Sequence, residues 1–406
     1  MKKSIFLLAL IIVGIIAKAN DLIVEENGLP PSYSSIKAAL AAANSGDRIF
    51  VKNKAGNIPW VENDTIAKSV SILAYQYDSI FIVQGAYTIS PVSTDTINII
   101  GMLNMNGSIT CNTAPSGSRT IVRILNSQFS AGNILCANNN YDLTVQGCNL
   151  DGYIAYEHGS IVGNIIHYVS LGIQVTSESI VTTDTSYILG NQITTTSGGS
   201  GISWSSNTMI FDIRNNFIVC QAGDPINVQK TVSNSSQLNK LYNNTVSVTD
   251  ASSGATGIFI ASSTGSQVDV QNNVLDITST IANTYGFGET VGTGSNLFFT
   301  YNYIDQAFAT SIQGTPTVNM DNVVTSITLN ANGSTQSNVG VNSGNPGPQF
   351  YDTDLTVNDA GCYGGSFTLK NFFPTPTIGP SAWVTNYTFN LRTGNTLGIK
   401  ASSYSK

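Results

Sequence analysis

The chain has 406 residues, of which 10% are charged and 41% hydrophobic, and its formal net charge is −7. The hydrophobic share is too high for a disordered chain, and the acidic balance excludes nucleic acid and anionic membrane surfaces as natural partners. With so few charges, solubility must depend on uncharged Ser, Thr, Asn and Gly side chains.

The N-terminus has the pattern of a secretory signal peptide. Two lysines precede a twelve-residue apolar run, 5–16, and a small-residue cleavage pattern follows at 17–19. The run is shorter than the roughly 20 apolar residues of a membrane-spanning helix. We therefore expect residues 1–19 to be removed and a mature protein, with a formal charge of −10, to be secreted or held at the cell surface without membrane insertion.

Residues 32–51 predict an amphipathic helix that leads into a strand. After a Ser-rich start, apolar residues recur at helical spacing, at Ile36, Ala39, Leu40 and Ala43. Gly46 ends this pattern, and the strand follows at 48–51. Such a helix would cover the open end of a stacked β-structure, whose unpaired backbone otherwise favours aggregation. We therefore expect an N-terminal cap at 30–50.

The middle of the chain repeats the unit apolar-x-Asn-Asn-x-apolar. Three copies are clear, at 213–218, 241–246 and 270–275, and weaker copies surround them. The second position of the pair recurs every 16 to 29 residues without helical periodicity, which predicts one coil of a β-solenoid per repeat. The recurring positions are Ser127, Cys148, Asn164, Asn191, Asn216, Asn244, Asn273, Asn302 and Asn322.

We interpret the paired residues as corners of the coil. A sharp corner often needs a residue with positive φ, which Gly and Asn tolerate best, and Gly147, Gly163 and Gly190 replace the first Asn in three copies. The second Asn side chains can stack and hydrogen bond along the axis, as amides do in cross-β structures. The predicted structural ladder consists of Asn191, Asn216, Asn244, Asn273 and Asn302.

These features resemble right-handed parallel β-helix proteins of the pectate-lyase-like superfamily, in its bacterial secreted branch. The resemblance rests on SSIKAALAAANSGDRIFV, on the strand at 68–72, on the Asn repeat, and on residues 345–365, which are similar to an Asn-Asp-x-Gly-x-Tyr-Gly-Gly tail that often closes such helices. It implies an all-β domain over 20–370 with a closing loop at 345–370. At roughly 25 residues per coil, residues 70–325 would make about ten coils, or a rod about 48 Å long. It implies little about activity, since the superfamily includes lyases, hydrolases, esterases, tailspikes and adhesins.

The end of the chain differs in composition. Residues 371–381 are Pro-rich and predict a linker, and 382–406 predict two or three terminal strands with a turn at 393–395.

The five cysteines have no CxxC spacing, which favours buried, unpaired thiols, with a Cys136–Cys148 bridge as the alternative. Neither His158 nor His167 is at ligand spacing from a cysteine, which argues against zinc.

Asp276 and Asp305 form the sharpest catalytic hypothesis. Both lie three positions after the repeated marker, so they should stack on adjacent coils about 5 Å apart, a separation that retaining glycosidases use. Crowding would raise the pKa of one carboxyl and allow it to act as an acid. The alternatives are two solvated aspartates or a pair that shares a cation such as Ca²⁺, and no other metal site or cofactor is predicted.

Two further groups are candidates for substrate binding. Tyr285, Tyr301 and Tyr303 lie in one coil region with a Gly-rich insert, where exposed rings could stack on sugars and buried rings would only pack. Arg214 and Lys240 face outward with aspartates on neighbouring coils, which predicts either an ion-pair ladder or a substrate groove.

The sequence favours polysaccharide as the partner but gives no complete catalytic set. A lyase of this superfamily would be expected to use clustered Asp and basic side chains, yet residues 100–330 contain only five Lys and Arg, and the motifs of polygalacturonases are missing. We expect an exported or cell-surface protein that binds or associates with polysaccharide. The alternatives are a polysaccharide lyase or glycoside hydrolase acting on an extracellular glycan, and a structural or adhesin rod.

Overall fold

The structure is a computed structural model. It describes residues 19–372 with internal gaps, and the backbone alone of 381–387 and 399–404; the gaps are 77–78, 94, 113–118, 138–139, 178–183, 234–235, 237, 251–253, 278–283, 306–311 and 366–367. The expected signal peptide, the linker beyond Phe372 and the turn at 393–395 lie outside the described residues.

The described chain is a parallel β-solenoid of about ten turns, as the sequence predicts. Each full coil contributes one strand to each of three sheets, in the order A, B, C along the chain. In sheet A the described strands are β1 Asp21–Val24, β2 Arg48–Val51, β5 Val70–Ala74, β8 Thr96–Ile100, β11 Thr120–Leu125, β14 Tyr141–Gln146, β17 Gly159–Val162, β20 Thr185–Leu189, β23 Ile210–Arg214, β26 Asn239–Tyr242, β29 Gln267–Gln271, β32 Asn296–Thr300 and β35 Val318–Met320.

Sheets B and C continue each coil around the rod. In sheet B the described strands are β3 Trp60–Val61, β6 Phe81–Gln84, β9 Met102–Asn104, β12 Gln128–Phe129, β15 Asn149–Asp151, β18 Ile165–Tyr168, β21 Gln192–Thr195, β24 Phe217–Cys220, β27 Thr245–Val248, β30 Val274–Ile277, β33 Tyr303–Asp305 and β36 Val323–Thr325. In sheet C they are β4 Asp64–Ile66, β7 Tyr87–Ile89, β10 Ile109–Cys111, β13 Ile134–Cys136, β16 Ile154–Tyr156, β19 Leu171–Val175, β22 Ser200–Trp204, β25 Ile226–Val228, β28 Thr256–Ala261, β31 Tyr285–Thr290 and β34 Ile312–Gln313.

The described helices and terminal strands lie outside the coils. Helix α1, Ile36–Ala42, precedes β2, and helix α2, Leu369–Phe372, ends the continuous described chain. Beyond it, β37 Ser381–Tyr387 and β38 Ile399–Tyr404 pair antiparallel.

Helix α1 caps the N-terminal end, as predicted. Its Ile36, Ala39 and Leu40 are buried, and Ser35 closes its N-terminus by accepting a hydrogen bond from the backbone N–H of Ala38. The Glu62 carboxylate accepts hydrogen bonds from two backbone N–H groups in the first turn of the helix, at 3.1 and 2.8 Å, and thereby ties the cap to the first coil.

The interior is one apolar stack, because strand residues alternate between interior and solvent and the interior excludes water. Ile161, Ile188 and Ile213 illustrate this: they pair in register on β17, β20 and β23, and all are fully buried.

The asparagine ladder is present at the corner between sheets A and B. The Nδ2 of Asn216 donates to the Oδ1 of Asn244 at 2.9 Å, and the same bond joins every consecutive pair from Asn164 to Asn322. The preceding residues adopt positive φ, including Asn215, Asn243 and the three glycines of the weaker copies. The second asparagine of the pair therefore forms the predicted ladder, and the first position has the predicted positive φ.

The C-terminal segment does not extend the rod but returns along its side. Residues 327–372, which we call the tail, lie on the outer surface of the corner between sheets A and B. The backbone N–H of Asn345 donates to the Asn272 side chain, the Asn243 side chain donates to the carbonyl of Asp359, and the Asn215 side chain donates to that of Gly364. The outer asparagines thus bind the tail. The segment 345–365, expected to close the helix, lies along these middle coils.

The tail reaches as far as Phe372, which packs on Val162 and Leu189. A Cβ added to Gly163 or Gly190 would come within about 2 Å of Phe372, at 2.0 and 2.2 Å, so these glycines allow both the corner and the close approach of the tail.

The cysteine prediction is corrected. Cys111 and Cys136, one coil apart in sheet C, form a disulfide, so neither the unpaired state nor a Cys136–Cys148 bridge holds for them. Stacking by one coil brings the two side chains together, whereas Cys148 lies at the ladder corner. Cys148, Cys220 and Cys362 are free and buried.

Candidate functional site

The predicted aspartate pair is brought together. Val274 and Leu275 pair with Tyr303 and Ile304, which places Asp276 and Asp305 side by side at the outer ends of β30 and β33. Both are more than nine-tenths buried, and Ser247 of the preceding coil donates to Asp276 at 3.3 Å. Burial, followed by the charge of Asp305, raises the pKa of Asp276 to about 6.

The other predicted substrate-binding residues do not converge. Tyr285 lies on sheet C, Tyr301 at the ladder corner with positive φ, and Tyr303 on sheet B. The Tyr303 ring is covered by Ile327 and Ala360 of the tail.

Arg214 and Lys240 lie on the outer face of sheet A. The Arg214 guanidinium is paired with Asp212 through Nε at 2.6 Å and lies over the Tyr242 ring. Asp212, Lys240 and Asp269 stack in register, which gives the alternating column that the sequence predicts. The Tyr242 hydroxyl donates to Asp269 at 2.6 Å. The polar side chains on this outer face of sheet A therefore bond mainly to one another.

An accessible polar and aromatic surface lies where the tail does not reach. On sheet B the tail covers the outward-facing residues from Phe217 to the C-terminal end of the rod. At Phe217, Cys362 and Leu369 of the tail pack on the phenyl ring. On the coils that precede Phe217, the tail does not cover the outward-facing positions of sheet B. We call this surface the tyrosine ledge; it consists of Asn149, Asp151, Tyr153, His167, Tyr168 and Gln192.

The ledge spans three neighbouring coils. Asn149, Ile165 and Gln192 follow one another in one outer column, and Asp151 and His167 pair in the next. The Nδ1 of His167 is 3.7 Å from Asp151, and their side chains are 48% and 60% exposed. The Tyr153 and Tyr168 rings, both partly exposed, are 5.3 Å apart at an angle of 42°.

This arrangement suits a sugar chain. Tyrosine presents an apolar face that can stack on a pyranose ring and a hydroxyl that remains in water. The neighbouring amides, carboxylate and imidazole supply donors and acceptors for sugar hydroxyls. The coil spacing of about 4.8 Å is close to the length of one residue in an extended pyranose chain.

The ledge was not predicted from the sequence. Tyr153 lies five residues after its marker, Cys148, whereas Tyr168 lies four residues after Asn164, so the two tyrosines hold no equivalent positions relative to the marker. The available signal was that each tyrosine closely follows an outward-facing polar residue, Asp151 before Tyr153 and His167 before Tyr168.

His158 lies in a second polar cluster, on the first outer column of sheet A. Its Nδ1 is 3.2 Å from Asp142 and its Nε2 3.5 Å from Asp184, which also pairs with Arg119 at 2.8 Å. Burial raises the pKa of Asp142, but the hydrogen bond and charge of His158 outweigh this and lower it. Because His158 Nε2 is buried, this ring cannot reach a substrate, and we interpret the cluster as a brace between coils.

Among the residues that the structure describes, no group of three or more His, Cys, Asp or Glu side chains is arranged to hold a metal ion. Asp352, in the tail, accepts a hydrogen bond from the backbone N–H of Asp359 at 3.0 Å. Its pKa is raised to about 6, first by burial and then by the charge of Asp359.

In the described part of the chain, no helix has both the length and the apolar character needed to cross a membrane. No family model matches the chain, and comparisons with curated proteins and with solved structures found no similar protein.

Proposed function

We propose that this protein is an exported member of the pectate-lyase-like superfamily that binds a neutral polysaccharide on the tyrosine ledge. The observation that carries the proposal is the partly exposed Tyr153–Tyr168 pair beside Asp151 and His167, on the coils of sheet B that precede Phe217. Stacking surface and hydrogen-bonding groups occur there together, and they remain accessible.

Two observations support export. The signal-peptide pattern at the N-terminus directs the chain out of the cytoplasm. The Cys111–Cys136 disulfide is of the kind that persists in oxidising compartments outside the cytoplasm. Membership of the superfamily is supported by the α1 cap, the Asn ladder and the sequence at 345–365.

The charges of the ledge favour a neutral glycan. It carries one carboxylate, Asp151, beside His167, and no Arg or Lys. A polyuronate would bring a negative charge on every sugar and would be repelled by a protein with a net charge of −7.

Affinity electrophoresis tests this function. We expect retardation in gels that contain a neutral glucan, mannan or xylan, and little in polygalacturonate or alginate. Tyr153→Ala and Tyr168→Ala should each abolish most of the retardation. Tyr75→Ala is the matched control, because Tyr75 is exposed on the N-terminal coils away from the ledge. Equal retardation of all four proteins, or retention by polyuronates alone, contradicts the proposal.

A second candidate, glycoside hydrolysis, is favoured by the environment of Asp276. A carboxyl with a pKa of about 6 beside charged Asp305 could donate a proton while its neighbour acts as nucleophile. It predicts release of reducing ends, abolished by Asp276→Asn and unaffected by Asp250→Asn, an exposed control. A lyase would instead release unsaturated ends, and a structural rod would neither bind nor release sugar.

A further inference from the structure

The two ends of the rod differ in how their outermost strands are covered. At the N-terminal end helix α1 covers the interior. At the other end, β34, β35 and β36 are the outermost strands of their sheets, and no described strand pairs with their outer edges. Each therefore presents a row of unpaired backbone donors and acceptors.

An inward-facing apolar residue is open to solvent at this end. Val324 continues the inward column of Leu275 and Ile304. Ile304 is 1% exposed, whereas Val324 is 49% exposed. Its neighbours Met320 and Val323 are also exposed, so the end joins unpaired strands to an apolar surface.

The chain itself leads away from this end. After β36 it enters the tail, which runs back along the rod until Phe372 packs on Leu189 and Gly190. That contact lies five sheet-B strands before β36, or about 24 Å at the usual strand spacing. The described tail therefore leaves the end uncovered.

The end lacks the charges that usually protect an edge. Residues 312–325 contain one charged side chain, Asp321, whereas natural edge strands commonly carry Lys or inward charges. An uncharged patch can meet a copy of itself with little electrostatic cost, and a two-fold axis requires only such self-complementarity.

We propose that the C-terminal end of the rod binds the same end of a second copy of this chain. The two-fold axis crosses the rod at the corner between sheets A and B, so β35 meets β36 of the second copy antiparallel, and β36 meets its β35. Each strand thereby completes its backbone hydrogen bonds. Val324 of each copy is covered by the other. Because α1 caps the opposite ends, the assembly closes as a dimer and does not grow into a filament.

Light scattering and small-angle X-ray scattering on the whole protein test the proposal. We expect twice the single-chain mass at micromolar concentration, and a maximum dimension about double that of a rod about 60 Å long, from thirteen sheet-A strands. Val324→Lys and Met320→Lys should each give monomers. Leu29→Lys, at an exposed position on the capped end, should leave the dimer intact.

The Met320 variant guards against misfolding of the Val324 variant, since Met320 faces outward and is 57% exposed. A monomer at 100-fold higher concentration, a dimer no longer than one rod, or a dimer that persists in both variants would overturn the proposal. The measured mass and maximum dimension do not depend on sugar binding. The dimer proposal is therefore tested independently of the ledge.

Discussion

Asn243 and Asn244 are adjacent in the chain but hydrogen bond to opposite sides of one corner. Asn244 points inward, where its Nδ2 donates to Asn273 at 3.0 Å and its Oδ1 accepts from Asn216. Asn243 has a φ of 53° and points outward, where its Nδ2 donates to the Asp359 carbonyl at 2.8 Å. One residue holds successive coils together, and the other holds the tail.

The side chain of Asn244, the inner residue of the pair, should stabilise the folded protein through several hydrogen bonds. In Asn244→Ala, the Asn216 backbone N–H loses its acceptor and the Ile213 carbonyl loses a donor. The Asn216 side chain also loses its bond to Asn244 and keeps only those to the Ile188 and Arg214 carbonyls. Buried groups left unpaired cost about 1–3 kcal/mol each, so we expect the free energy of unfolding to fall by about 4 kcal/mol. Denaturant titration measures this, with the exposed Asn106→Ala as control. A loss below about 1 kcal/mol would show that the ladder is not a major source of stability.

The outer amide should affect the tail alone. Asn243→Gly keeps a residue that tolerates positive φ but removes the bonds to the tail. We expect cleavage within 345–365 to become several-fold faster in limited proteolysis while the rod stays intact. Asn126→Gly is the matched control, because Asn126 also has positive φ but lies at a corner before those that the described tail contacts. Equal cleavage in the two variants would disprove the docking role.

The Asp276 carboxyl should make stability depend on pH. Its pKa is about 6 in the folded protein, against 3.8 for an aspartate side chain in water, so folding favours the protonated form. The stabilising contribution is complete below pH 4 and is lost as the pH rises through about 6. Asp276→Asn should therefore be more stable than wild type by about 3 kcal/mol at pH 8 and similar at pH 4. Parallel pH profiles of the free energy of unfolding for wild type and Asp276→Asn would contradict the assignment.

The disulfide should be detectable by counting thiols. In denaturant without reductant, three of the five cysteines should react with maleimide, and none should react in the folded protein. Burial raises the pKa of the Cys148 thiol to about 12, which suppresses its reactive thiolate. Cys136→Ser should lower the free energy of unfolding by about 3 kcal/mol, because the bridge closes a 25-residue separation. Five reactive thiols would refute the bridge.

The coil and its ladder could be predicted from sequence because each depends on one local signal repeated many times. The regular spacing of Asn216, Asn244 and Asn273 in the sequence predicts that they stack. The same spacing predicts that Asp276 lies beside Asp305. The Cys111–Cys136 separation of 25 residues, about one coil, carried the same information and was not used.

The course of the tail could not be predicted in this way. Several of its contacts join residues more than 100 positions apart, such as Asn215 with Gly364, and no periodicity in the sequence predicts them. The tail decides which outer residues are accessible. It buries Tyr303, a predicted sugar-binding residue, and its last described residue, Phe372, contacts the corner at Gly163 and leaves Tyr153 and Tyr168 partly exposed.

The central claim, that sugar binds on the tyrosine ledge, is tested most directly by hydroxyl-radical footprinting with a saturating neutral polysaccharide that the protein retains. The account predicts that oxidation of Tyr153, His167 and Tyr168 falls several-fold, while oxidation of Tyr75 is unchanged. Protection at Tyr285 or Tyr301 instead, with the ledge oxidised as in the free protein, would contradict it.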